Sequence, residues 1–194
     1  MKSNTIALCR ADLFKVNVGT PQQIRDLVTE ILQVKTDNPQ GIAKSNGECW
    51  RFNNPCKDID WLMHHVLNLL NEAVEFYDSY DKIFSARHKS NLVQVDYWAN
   101  VNEPGSRNSV HSHKQAQFSA VYYLQSTGTG ILRFTNPANI MSECNTASPF
   151  TADSAIDPTE GDLILWPSWM PHEVETNFSN QARINLAFDL KVKE

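Results

Sequence analysis

The chain has 194 residues, 41% of them hydrophobic and 20% charged, with nine Phe, five Trp and five Tyr. That is material for one sizeable core, and it excludes wholesale disorder. Seventeen Lys and Arg against twenty-two Asp and Glu leave a net charge of −5 with no basic tract, so duplex nucleic acid is not an expected partner. No apolar run is long enough to cross a bilayer, and Met1 to Thr5 leads into only a short hydrophobic stretch, so a soluble cytoplasmic protein of one domain, residues 1–194, is expected. Cys9, Cys49, Cys56 and Cys144 form no C-x-x-C pair and read as free thiols, a Cys49–Cys56 disulfide being the alternative.

Taken in chain order, Thr5 to Cys9 and Leu13 to Val18 read as short strands, the second with Phe14, Val16 and Val18 alternating with polar residues. Thr20-Pro21-Gln22-Gln23 predicts a helix start: Thr as cap, Pro in the first turn and Gln three places on. Ile24, Leu27, Val28, Ile31 and Leu32 give that helix an apolar stripe, and it stops before Asn38-Pro39. Residues 41–56 read as a long loop with room for one strand around Trp50 and Phe52. A second helix follows, capped by Asp58, with Ile59, Leu62, Met63, Val66, Leu70, Val74 and Tyr77 on one face.

After Ser90 the period changes from 3.6 to 2. Leu92 to Trp98, Phe118 to Leu124, Ile131 to Phe134, Leu163 to Trp166 and Arg183 to Leu190 read as strands. The expected fold is mainly β with N-terminal helices: residues 1–90 brace a jelly roll formed by 91–194. Residues 136–160 form a long segment without periodicity, in which Ile140, Met141 and Phe150 suit a lid over the barrel mouth or a plain surface loop.

Of the six histidines, adjacent His64 and His65 in the second helix and the isolated His88 read as structural or surface residues. His111-Ser112-His113 differs, because alternate residues of a strand share a face and two imidazoles can reach one ion. Two surface histidines would give the same pair. His172 adds a third ligand, delivered by the turn and buried strand of Gly161 to Pro167. Arg183 opens an apolar strand and shares a face with Asn185 and Ala187. Either an ion pair with Asp162, Glu173 or Glu175 or a ligand carboxylate would justify it there. Trp98, Asn100 and Asn108 approach His111 and could line a pocket, but core packing for Trp98 and turn-making for the asparagines are the simpler readings. Trp166 and Trp169 read as rim packing.

His111-x-His113, Phe118-Ser119-Ala120-Val121-Tyr122-Tyr123-Leu124, Gly130-Ile131-Leu132-Arg133-Phe134, Glu160 to Trp169, His172 and Arg183 recur together in this order. In this the last hundred residues resemble the Fe(II)/2-oxoglutarate-dependent dioxygenases, and most closely a small branch found in bacteria and their phages. The resemblance implies a double-stranded β-helix with Fe(II) held by His111, His172 and the residue two after His111. It further implies 2-oxoglutarate as cosubstrate, its distal carboxylate held by Arg183 with Tyr123 as a second donor. The activity implied is hydroxylation of a C–H bond with release of succinate and CO2, on a small molecule or an amino-acid or peptidyl side chain, in a host cytoplasm if the chain is viral.

Two positions depart from the family pattern. His113 stands where most members have Asp or Glu, and either serves as a third imidazole or swings away to leave a two-histidine site. Asn185 stands where many have Ser, and it can still donate to a carboxylate. A cupin is the structural rival, with Gln117 in its acidic ligand position and Arg183 without a task. A metal-free β-sandwich binding module is the third reading. A homodimer through the first helix is compatible with the pattern.

Overall fold

The computed structural model describes residues 11–41, 49–78, 93–135 and 154–192. The expected strand Thr5 to Cys9, His88, and Ile140, Met141 and Phe150 lie outside them. The elements are β1 (Phe14–Asn17), α1 (Pro21–Asp37), β2 (Trp50–Asn53), α2 (Asp60–Asp78), β3 (Val93–Asn102), β4 (Asn108–His111), β5 (Phe118–Gln125), β6 (Leu132–Phe134), β7 (Ser154–Ile156), β8 (Asp162–Pro167), β9 (His172–Val174) and β10 (Arg183–Val192).

Helix α1 begins as its sequence dictates. Gln23 N donates to Thr20 Oγ1 at 3.2 Å, and Thr20 N donates to Gln23 Oε1 at 2.8 Å, so each end of the box satisfies an otherwise unpaired amide. Helix α2 starts at Asp60, so Ile59 rather than Asp58 precedes it. Ile59 itself is buried against the core. Leu27 and Ile31 of α1 and Leu62, Val66, Leu69, Leu70 and Ala73 of α2 are buried, whereas Leu32, counted in the α1 stripe, is 40% exposed.

The strands form a six-stranded sheet in the order β1-β8-β5-β10-β3-β2 and a four-stranded sheet in the order β4-β9-β6-β7. From β3 onward the chain passes back and forth between the two sheets, and all pairings are antiparallel. Two cores result. The helices pack on the outer face of the large sheet, against Ala99, Val101, Ala120, Tyr122, Leu163, Leu165, Leu186 and Phe188. Between the sheets, Val121, Tyr123, Ile164 and Trp166 meet Leu132, Phe134 and Met170. At roughly 2 kcal/mol per buried large apolar side chain, the helix-covered core dominates the stability.

Register decides what the inner face carries. Arg183 lies opposite Asn102, Asn185 opposite Asn100 and Tyr123, and Asp189 opposite Ser119. Since successive side chains alternate, these all point away from the helices and into the space between the sheets. A register irregularity between Ile184 and Asn185 bends β10 where that polar row starts.

Candidate metal centre and cosubstrate cavity

His111 closes β4, His113 lies just beyond it, and His172 opens β9, where it pairs with His111. Only His111 is therefore within the strand that spacing had assigned to both members of the pair. One ligand atom from each of the three histidines lies within 4.8 Å of the others, so they could hold one metal ion. The rings are 4.3 Å (His111 to His172), 5.2 Å (His113 to His172) and 5.2 Å (His111 to His113) apart, centre to centre.

Hydrogen bonds set the tautomers. His111 Nδ1 lies 2.8 Å from Ser109 O, His172 Nδ1 lies 3.0 Å from Met170 O, and His113 Nδ1 lies 2.6 Å from Asp189 Oδ1. A carbonyl or a carboxylate can only accept, so each Nδ1 carries the proton and donates it. All three Nε2 lone pairs are thereby left free for a cation. Burial pulls the His172 pKa down to about 3 and lowers that of His111, with the neighbouring imidazoles adding to the effect. Both rings are thus neutral and ligand-competent near pH 7.

Beside the histidines lies a cavity of about 490 Å³. Val121, Leu132, Val174 and Trp166 make one part of its wall apolar, and Asn100, Asn108, Tyr123 and Asn185 make another part polar. Trp98, Asn100 and Asn108 thus line the cavity, against the core-packing and turn-making readings. Trp98 belongs here because its parity in β3 matches that of Asn100, and its ring stacks on His113 at 5.8 Å and 14°. Trp166 is no rim residue either: it is buried in β8, its ring 4.9 Å from that of His172. Trp169 is 43% exposed and lines a separate groove, as does the exposed Gln117.

Arg183 is fully buried at the start of β10. None of the ion pairs open to it in the sequence forms: Asp162 pairs with Lys15, Glu175 with Arg133, and the guanidinium donates instead to Thr129 O at 2.6 Å and weakly to Asn108 Oδ1 at 3.4 Å. Burial lowers its pKa from the usual arginine value. Tyr123, also buried, has its pKa raised by burial and stays protonated, a donor. Asn100 Nδ2 donates to Asn185 Oδ1 at 2.9 Å, which leaves the Asn185 amide hydrogens for another acceptor.

A test of fit to a polar cosubstrate comes from unpaired atoms. Among the described residues, Arg183 Nε, Asn100 Oδ1, Asn102 Oδ1, Trp166 Nε1, Arg51 Nε and Asp78 Oδ1 are buried without a hydrogen-bond partner, and all but Asp78, at the end of α2, belong to the cavity wall or to the polar face that leads into it. A packed apolar interior would not carry such a group of orphans. The three orphan donors, Arg183 Nε, Trp166 Nε1 and Arg51 Nε, suit an acceptor-only ligand such as a dicarboxylate.

Two residues of the site were missed in the sequence. Arg51, in β2, lines the cavity with its guanidinium 4.1 Å above the Trp98 ring. Asp189 lines it too and holds His113. Parity offered a signal for both: Arg51 sits between outward Trp50 and Phe52, and Asp189 lies six residues after Arg183 on the same strand face.

Residues 96–189 match the family model described as "Putative 2OG-Fe(II) oxygenase". No curated protein sequence matches the chain. Among solved structures, a Pseudomonas putida prolyl-4-hydroxylase is similar at a TM-score of 0.66 and 14% identity, covering 94% of this chain and 93% of its own. A Trichoplax adhaerens prolyl hydroxylase, solved with a hypoxia inducible factor peptide fragment, gives 0.62 and 13%, covering 93% and 83%. HygX of Streptomyces hygroscopicus, solved with nickel and 2-oxoglutarate, gives 0.53 and 12%, covering 92% and 82%. At these identities the structures speak for the fold, the double-stranded β-helix, while the family match covers the segment that holds the three histidines and Arg183. Over residues 96–189 the chain is thus similar to the 2-oxoglutarate- and Fe(II)-dependent oxygenases, the family its motifs resemble.

Proposed function

We propose that the chain hydroxylates a C–H bond of an amino-acid or peptidyl side chain, with His111, His113 and His172 holding Fe(II) and Arg183, Tyr123 and Asn185 receiving 2-oxoglutarate. The observation that carries this reading is the shared tautomer of the three histidines, with every Nε2 free, beside a cavity backed by a buried arginine. When bound, Fe(II) and 2-oxoglutarate supply the activation of O2, one oxygen atom entering succinate as CO2 leaves and the other entering the substrate as a hydroxyl.

The chain's own residues bind and orient. Arg183 offers a fixed cation whose 3.4 Å contact with Asn108 is weak beside what a carboxylate would accept. Protonated Tyr123 and the spare amide of Asn185 add donors from neighbouring strands. Val121, Leu132 and Trp166 give the cavity an apolar stretch of wall that favours exclusion of water. Similarity to two prolyl hydroxylases, one solved with a peptide fragment, favours the side-chain substrate class. Gln117 is exposed in another groove, which leaves the cupin reading without its fourth ligand. Among the described residues no helix is long and apolar enough to cross a membrane.

The test is anaerobic reconstitution with Fe(II) followed by 2-oxoglutarate titration, watching for the weak visible metal-to-ligand band. Arg183→Ala should raise the 2-oxoglutarate requirement by roughly two orders of magnitude while leaving iron content intact. Metal binding without the band, or a variant indistinguishable from the native chain, would refute the reading.

A further inference from the structure

Resting on that reading, we infer that Asp189 supplies, through the His113 ring, the negative charge that a carboxylate ligand would otherwise place directly on the metal. In a His/carboxylate facial triad the ligand set carries one negative charge. Here all three ligands are imidazoles, and a neutral set of this kind suits zinc as readily as iron. The three differ, however, in what stands behind them. His111 and His172 donate to backbone carbonyls two residues away in sequence, at Ser109 and Met170. His113 alone, in the position where a carboxylate is usual, donates to a carboxylate, at 2.6 Å and from a residue 76 positions away.

That carboxylate is held in place. Ser119 Oγ donates to the same Oδ1 at 3.0 Å, and Ser119 faces Asp189 in the register of β5 and β10. Trp98 stacks on the His113 ring and fixes its plane. The His113 and Asp189 side chains are only 14% and 19% exposed, so water competes weakly for their bond. An imidazole whose Nδ1–H is held by a carboxylate is a more basic donor at Nε2, and partners of this kind commonly contribute 10- to 100-fold in metal affinity. Asp189 is thus a positioning residue, acting on the metal through His113.

The experiment is equilibrium titration of the full metal-free chain with Co(II), read by its visible absorption, for the native protein, Asp189→Asn, His113→Ala and the double variant. Asn keeps the shape and an acceptor oxygen and removes the charge. Asp189→Asn should weaken Co(II) binding at least tenfold with an unchanged far-ultraviolet circular dichroism spectrum, and should have no further effect once His113 is gone. Native-like affinity in Asp189→Asn, or losses that simply add in the double variant, would overturn the role of Asp189 while leaving the metal site standing. Failure of the native chain to bind Co(II) would sink the metal reading itself and this inference with it. If Asp189→Asn does not fold, Ser119→Ala frees one hydrogen bond of the same carboxylate: weaker Co(II) binding supports the role, and native affinity overturns it.

Discussion

The two faces of strand β10 are chemically opposite: one is apolar and the other polar. Ile184, Leu186, Phe188 and Leu190 lie in the core under the helices, while Arg183, Asn185 and Asp189 alternate with them on the cavity side. One strand therefore does two jobs, because a rise of one residue reverses the face. Apolar burial on the outer side offsets the cost of a polar inner row in which Arg183 Nε has no hydrogen-bond partner among the described residues.

Substitutions on either side should separate these roles. The largest loss is expected from Phe188→Ala on the outer face, where a fully buried ring stacks on Tyr97. Roughly 3–5 kcal/mol should disappear in urea unfolding, with metal affinity unchanged in the folded fraction. Next comes Gly130→Ala, at the edge of the inner face. Gly130 has φ of 113°, and an added Cβ would sit 2.7 Å from Glu175 O and 3.1 Å from Arg183 Nη1. A cost of about 1–3 kcal/mol is expected, together with weaker 2-oxoglutarate binding, since the methyl group presses on the arginine.

The smallest effect belongs to Asp162, where the β8 end is tied to β1. Burial alone would raise its pKa, but hydrogen bonds from Lys15, Thr159 N and Asn17 outweigh that and hold it below the usual carboxylate range. A depressed folded pKa gives stability that is present above about pH 4 and is lost as pH falls through the folded value. Asp162→Asn should cost about 1 kcal/mol at neutral pH and flatten the acid limb of a stability-against-pH curve. An unchanged acid limb would show that this tie is too solvated to matter.

Much of this contrast was legible beforehand in particular residues. The Thr20 to Gln23 box and the late alternating strands announced the elements, since capping and period are local properties. His111, His113, His172 and Arg183 stood out by spacing, and the structure brings the three histidines together. Trp98, Asn100 and Asn108 were misjudged because a core, a turn and a cavity wall accept the same residue types, and only strand pairing chooses among them. Helix α2 begins one residue later than a cap at Asp58 implies, with the buried Ile59 preceding it.

By itself, the amino-acid order determined the period of each segment, the start of α1, the family resemblance and the three histidines that the fold brings together. Tertiary structure alone decided which oxygen stands behind each histidine, that Arg183 pairs with no carboxylate among the described residues, and that Asp189 meets His113 across 76 residues. Hydrogen bonds between distant strands depend on register and sheet order, and neither quantity is encoded in local periodicity.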